Sequence, residues 1–256
     1  MHTATVLYSE AVLAGEVPAE QFLSTINLRL LHYNVWPQGV SLFASIYSGF
    51  WLGFGRTIVL TGPEAAGAGI QVRIANMLHS GSAFGRLWIE PEWATPAFHN
   101  VTRYLQSHVT FRRQLSGFFV TGTLQRPVGA AVVSGPGTVE VTPAKEVPFN
   151  LTLVSFVATA WVEEGGGSLG VMLSNLADEA VTVQTTLDLR RTELASLLGR
   201  AAGGMITMPP LKAERLTFVA LSRPLLITIL PAVTDPVWVH TERLDAGAAS
   251  FIRLGL

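Results

Sequence analysis

The chain contains no cysteine, which excludes a disulfide framework, a thiolate zinc site and a cysteine nucleophile. Charge is scarce as well: Asp, Glu, Lys and Arg make up 14% of the 256 residues, against about a quarter in ordinary soluble domains. The 17 basic and 18 acidic side chains nearly cancel, leaving a formal charge of -1. No run of Lys or Arg builds the positive field that a phosphate backbone requires, so nucleic acid is not expected as a partner. Aspartate is missing from residues 1–127, where the carboxylates are Glu10, Glu16, Glu20, Glu64, Glu90 and Glu92. What the chain does have is apolar surface, with 49% hydrophobic residues, so it must bury a large core and is not a disordered segment.

The longest uncharged stretch runs between Arg29 and Arg56. Its apolar part, residues 40–55 (VSLFASIYSGFWLGFG), falls short of the roughly 20 residues a spanning helix needs. Asn34, Pro37, Gln38 and Gly39 break the stretch before it. A buried strand and turn feeding a helix is therefore expected, not a membrane span. The first residues, MHTATVLYSEAV, lack the basic start and long apolar core of a secretory signal. A cytoplasmic protein is expected if Met1 is the authentic start.

Two textures divide the chain. In residues 1–127, helix-like segments alternate with short apolar runs. One begins near Pro63 and Glu64 and runs to His79, with Gly81 just beyond, placing proline at a helix start and glycine after its end. Another covers residues 96–115, where Phe98, Val101, Leu105, Val109 and Leu115 form an apolar face and Arg103, Arg112 and Arg113 fall among the polar positions. Residues 19–33 give a third, with Phe22, Ile26 and Leu30 in register. Residues 3–8 and 40–46 read as buried strands between them, a βα pattern. After Pro127, short β-rich runs follow at residues 132–134, 139–141, 151–162, 169–174, 181–187, 216–221, 225–230, 237–240 and 250–254. Glycine and proline turns separate them, which indicates an antiparallel sandwich. The alternation in TVQTTL, residues 182–187, fits one solvated face. The boundary is placed in residues 126–148.

No P-loop and no HExxH is present, and none of the six histidines is paired as a metal ligand would be. No metal and no cofactor are expected. His79 reads as a helix-end residue interacting with the last carbonyls. Carboxylates are the remaining route to chemistry, since glycosidic hydrolysis uses two of them flanking the scissile bond. Glu10 follows the apolar run Thr5-Val6-Leu7-Tyr8, at the carboxyl end of a strand, where barrel enzymes hold their catalytic groups; an ordinary first-turn helix glutamate is the competing reading. Glu90 and Glu92 flank Pro91 and follow Trp88, which offers a ring beside carboxylates or simply a solvated turn. Tyr47, Phe50, Trp51 and Phe54, then Phe84, Trp88 and Trp93, are rings of the kind that line sugar clefts and also fill cores.

Taken in order, LYSEAV, VSLFASIYSGFWLGFGR, MLHSGSAFGRLWIEPEW, FFVTGTLQRP and FVATAWVEEGGGSLGVMLSNLADEAVTVQTTLDL resemble the carboxyl-terminal portion of glycoside-hydrolase-like proteins. In these a (β/α)-barrel precedes an antiparallel β-sandwich. A bacterial family of unknown function related to retaining α-glycosidases is the particular likeness. The resemblance spans nearly the whole chain, and its most specific part is the sandwich pattern in residues 160–189.

The resemblance implies an α/β plus all-β fold class: late βα units of a partial TIM-type barrel over residues 1–127, then a β-sandwich over residues 128–256. It implies carbohydrate as the ligand, Glu10 as the acid/base, and Tyr47, Trp51, Phe84 and Trp88 at the sugar. No counterpart of the nucleophile, an aspartate on an earlier strand, is present. Eight βα units need roughly 250 residues and about 125 hold three, so a truncated or split protein is expected, its barrel completed by a second chain. A non-catalytic carbohydrate-binding or assembly module is the alternative.

Overall fold

A computed structural model describes residues 58–59, 68–79, 81, 87–88, 91–125, 129–141, 151–191, 210–220 and 223–255. The expected helix at residues 19–33 and the strands at residues 3–8 and 40–46 lie outside these.

One parallel unit opens the described chain. Strand β1 (Ile58–Val59) is followed by helix α1 (Ala68–His79) and strand β2 (Leu87–Trp88), and β1 pairs β2 in parallel, Ile58 with Leu87 and Val59 with Trp88. Parallel neighbours need a crossover connection, here one that carries a helix. Two 3-10 turns, Pro91–Ala94 and Pro96–Phe98, then lead into α2 (His99–Gln114) and the short α3 (Ser116–Phe119). The expected segment at residues 96–115 is thus a proline-started turn continuing as a helix. Helix α1 is buried over most of its surface, with Ile70, Val72, Ile74, Ala75, Met77 and Leu78 in the core. It ends where Gly81 takes φ +71° and donates its N–H to the Leu78 carbonyl. A β-carbon at Gly81 would sit 2.8 Å from the Trp161 ring, so backbone geometry and packing both require glycine.

Among the described residues eleven strands follow, in ladders that pair antiparallel. β3 (Thr123–Leu124), β7 (Phe156–Val162), β8 (Ser168–Asn175), β13 (Ala249–Gly255), β10 (Leu211–Thr217) and β11 (Leu226–Val233) form a six-stranded sheet in the order β11-β10-β13-β8-β7-β3. β4 (Gly129–Ser134), β9 (Val181–Asp188) and β12 (Val237–Leu244) form a second sheet in the order β12-β9-β4. β5 (Thr138–Val141) and β6 (Leu151–Val154) pair separately. The expected single run at residues 151–162 is two strands broken at Ser155, and the described part of the expected run at residues 216–221 is strand only at Leu216 and Thr217, the end of one that starts at Leu211. In β9 the buried Val181, Val183, Thr185 and Leu187 alternate with more exposed neighbours, as its sequence period requires.

The layers follow from side-chain parity. Phe156, Ala158, Ala160 and Val162 of β7 and Leu169, Val171 and Leu173 of β8 meet Val183, Leu187 and Trp238 of the second sheet in one core. The opposite face of the same strands meets the helices: Val157 packs with Ile70, Ile74, Val101 and Leu105, while Trp161 and Met172 pack with Leu78, Phe111 and Phe119. Strands β7 and β8 are accordingly buried on both faces. The architecture is helices on a six-stranded sheet on a three-stranded sheet, mostly antiparallel. Strand β3 ties the chain before residue 127 to this sheet, pairing Thr123 with Val162 and Leu124 with Trp161. Among the described residues no helix is long and apolar enough to cross a membrane.

The helix side of β8 has one place where only glycine fits. A β-carbon at Gly170 would lie 2.0 Å from the Phe251 ring carbon Cζ, and that ring also packs edge-on against Phe118 and Phe119. Gly170→Ala is expected to overpack this layer and destabilise the protein by roughly 1–3 kcal/mol. A thermal melt with an unchanged midpoint would show that the ring is not pinned over Gly170.

Candidate functional site

The side chains proposed for sugar binding and catalysis lie almost entirely beyond the described residues. Glu10, Tyr47, Trp51 and Phe84 are outside them, and Trp88 is described by its backbone alone, as the last residue of β2. Within the described residues, two polar constellations stand out: a buried hydrogen-bond chain between the helices and the sheet, and an open cleft beside it.

The chain begins with two buried histidines that point at the same serine. His79, the last residue of α1, places Nε2 2.9 Å from Ser174 Oγ and Nδ1 2.8 Å from Thr159 Oγ1. His108, in the middle of α2, places Nε2 3.0 Å from the same Ser174 oxygen and Nδ1 2.9 Å from the Tyr104 carbonyl. A carbonyl only accepts, so His108 carries its proton on Nδ1 and its Nε2 accepts from Ser174. Ser174 Oγ then accepts from His79 Nε2–H, and His79 Nδ1 accepts from Thr159. Thr159 Oγ1 in turn accepts from the indole N–H of Trp161 at 3.3 Å, a group that can only donate. With both imidazoles neutral, the direction set at the Tyr104 carbonyl runs through to Thr159, and the Trp161 link is compatible with it because a hydroxyl oxygen can accept while its own proton is donated.

Burial lowers the His108 pKa to about 4. The same effect, followed by the nearby His108, holds His79 well below its ordinary value.

These contacts correct two sequence expectations. His79 does bind at the helix end, but to the side chains of Thr159 and Ser174, because the sheet covers that end. Arg112 is not on a purely polar face: it is half-buried and donates from Nη1 to the Gly81 and Phe119 carbonyls at 2.7 and 3.2 Å. Its burial lowers its pKa to about 10, which leaves it charged at neutral pH.

The cleft is about 540 Å³ and opens where the helices meet the end of the sandwich. Helix α1 contributes Gln71, and α2 contributes Asn100, Arg103 and Ser107. Arg215 and Thr217 come from β10, Glu242 from β12, Ser250 from β13, and residues 245–248 from the turn between those last two strands. The turn is held from behind by Asn175, whose Nδ2 donates to the carbonyls of Glu179 and Asp245 at 2.8 and 2.9 Å. Buried Glu242 lies between Arg215 Nη1 at 3.4 Å and His240 Nε2 at 3.0 Å, and the His240 ring stacks on Trp238 with centroids 5.3 Å apart. Among the described residues no group of three or more His, Asp or Glu side chains is arranged to hold a metal ion.

Sequence reasoning did not find this cleft. Its described lining is drawn from α1, α2 and three separate stretches between Asp178 and Ser250, and no local spacing links them.

The two histidines set the acid response. Unfolded, each takes up its proton near pH 6.5; folded, His108 does so only near pH 4. The unfolded state therefore binds more protons as pH falls, and the stability these groups confer above pH 6.5 is lost on the way down to about pH 4. For His108 alone the loss is roughly 3 kcal/mol. Denaturant melts between pH 7 and pH 4 check this, and a flat profile would contradict the neutral chain. Ser174→Ala strands one donor and one acceptor in the interior and should cost roughly 2–4 kcal/mol at pH 7.

No protein-family model matches the sequence, and no curated protein sequence is similar to it. Among solved structures, the chain is similar to a GH30 endoxylanase from Clostridium papyrosolvens, at 13% identity and TM-score 0.37, covering 79% of this chain and 42% of that one. It is similar to a family 44 xyloglucanase from Paenibacillus polymyxa, at 14% identity and TM-score 0.35, covering 84% of this chain and 34% of that one. A third likeness is to CelM2, a bifunctional glucanase-xylanase from a metagenome library, at 15% identity and TM-score 0.34, covering 91% of this chain and 40% of that one. The chain thus spans less than half the length of each. Superpositions at TM-scores below 0.5 do not define a common fold, so the chemistry of the cleft is read from its own residues.

Proposed function

We propose that the chain is the carboxyl-terminal part of a glycoside-hydrolase-like protein acting on carbohydrate. In this reading residues 1–127 supply late βα units of a barrel and residues 128–256 its accessory sandwich. The supporting observation is the parallel pairing of β1 with β2 across helix α1, a βα crossover unit that precedes an antiparallel sandwich in the order the sequence resemblance implies. In barrels of this kind, catalytic groups stand at the carboxyl ends of parallel strands. Trp88 ends β2, and Glu90 follows it by two residues.

Glu10 is the proton donor in this proposal, with Tyr47, Trp51, Phe84 and Trp88 shaping the sugar site. Turnover requires the remaining barrel strands, contributed by a second chain or by further sequence. The alternative, a non-catalytic carbohydrate-binding or assembly module, draws its support from the polar cleft lined by described residues of α1, α2 and the strands.

Kinetics on the assembled protein separate the two. Glu10→Gln should lower turnover of unactivated glycosides by at least about 100-fold, the usual contribution of general acid catalysis. Glycosides with good leaving groups should lose far less, since they need little protonation. Unchanged turnover on both substrate types removes Glu10 from catalysis, and Glu90→Gln in the same assay tests the other carboxylate at a strand end.

A further inference from the structure

Among the described residues the second sheet is covered on one side only. Val183, Leu187, Trp238 and Leu244 point into the sandwich core, so the alternate residues of β9 and β12 point away from it. The register sets that outer face in four rows across the two strands: Val237 beside Asp188, Val239 beside Thr186, Thr241 beside Gln184, and Arg243 beside Thr182. The middle rows continue onto β4 as Gly129 and Ala131. Every one of these positions is described. The solvated face of an antiparallel sheet usually reads polar, yet here Val237 and Val239 are 36% and 53% exposed, and Val133 in the bulge of β4 is 59% exposed. The only charges in the rows are Asp188 and Arg243, and they stand in the two opposite end rows.

Sheet faces of this kind pack on one another about 10 Å apart, with their strands within about 30° of alignment. The order of the rows makes this face complementary to itself. Consider a two-fold axis that lies in the face, runs across the strands and passes between the middle rows. A second copy turned about it lays its rows down in reverse. Val239 and Thr186 then meet Thr241 and Gln184, and the row with Arg243 in each copy meets the row with Asp188 in the other. An axis along the strands would instead set each row on itself and bring like charges together. Both charged residues already have neighbours in their own chain, Arg190 Nε at 2.8 Å from Asp188 and Asp245 at 3.9 Å from Arg243 Nε. Arg190, Arg243 and Asp245 are exposed, where such pairs contribute little by themselves, and a carboxylate has acceptor sites for a second guanidinium. Across the stacked faces they become the alternating series Arg190, Asp188, Arg243, Asp245, formed once at each end.

We infer that the outer face of the second sheet is the interface of a two-fold dimer of this chain, with the two three-stranded sheets stacked face to face. Three strands make a patch of roughly 14 Å by 26 Å, so the contact is small and the dimer reversible, with a dissociation constant on the order of 100 μM or tighter. This gives the assembly reading a surface and an occupant. It rests on no carbohydrate chemistry, and its failure leaves the Glu10 and Glu90 kinetics where they stand.

The test follows the full chain by sedimentation equilibrium from about 5 μM to about 500 μM, and by amide NMR over the same dilution. The wild type should dimerise, and dilution should shift the amides of Thr186, Val239 and Thr241 while those of β11 stay in place. Val239→Lys and Arg243→Asp, both at exposed strand positions, should each weaken the dimer at least about tenfold, because symmetry loses each contact twice, with the thermal midpoint unchanged. Asp188→Arg should weaken it likewise. An equimolar mixture of Asp188→Arg with Arg243→Asp should recover wild-type dimerisation, since each end of the interface then joins opposite charges.

A chain that stays monomeric over the whole range overturns the inference. So does a dimer that survives both Val239→Lys and Arg243→Asp, or one whose dilution shifts fall on β11 or the helices. Asp188 also accepts the Arg190 backbone N–H at 3.1 Å, so thermal melts accompany the mixture. Two variants that melt like the wild type and fail to dimerise when mixed overturn the stacking, and if Asp188→Arg melts early, Val239→Lys and Arg243→Asp decide the matter with the NMR shifts.

Discussion

Strands β7 and β8 are covered on both faces, and the arrangement of every layer follows from that constraint. A strand buried on one side can alternate apolar and polar residues, whereas one buried on two sides must be apolar throughout or have its polar groups matched. The stretch from Phe156 to Asn175 meets the demand with apolar side chains toward the second sheet and a mixed face toward the helices. On that mixed face Thr159 and Ser174 would be costly alone. Helices α1 and α2 each bring a histidine to them, so the polar atoms of the strand become the anchor points of the helices. Low overall charge belongs to the same picture, since a chain with this much two-sided burial has few positions where a lone charge is tolerated.

Where charge does enter the sheet, it is paired. Glu214 is buried in β10, and Lys212 at 2.6 Å together with Arg253 of the neighbouring β13 holds its carboxyl below the usual range. This pairing explains why most of β10 was hidden from the sequence. The segment LKAERLT carries three charged residues in seven, and its ladders with β11 and with β13, where Glu214 faces Arg253, make it a strand. Strand β3 was missed for a different reason, because two residues carry no period. The remaining strands of the second half were legible because turn residues bracket them and their alternation or apolar runs match one- or two-sided burial.

The helices were legible in position and less so in role. The apolar face of α2 was read from Val101, Leu105 and Leu115, yet Ser107, His108 and Thr110 are buried with them. Polar residues on a buried face give no signal to periodicity, since what admits them is a partner on a strand scores of residues away. The cleft shares that difficulty to a greater degree. The residues that sequence alone singled out for chemistry, Glu10 and the aromatic set, are local patterns, whereas Gln71, Arg215 and Ser250 become related only after the sheets close and the helices dock.

The hydrogen-bond chain through Ser174 has a consequence beyond the energy of its links. Helices docked by apolar ridges alone can slide by a turn, about 5.4 Å, and find comparable contacts. Here α1 and α2 are keyed to a single oxygen, each through one particular nitrogen, and the direction of the links is set at the Tyr104 carbonyl. A slip of either helix would take its histidine away from Ser174 and leave buried polar groups without these partners. The chain therefore acts as a registration mark: it selects one alignment of two helices on one strand out of several that hydrophobic packing would accept.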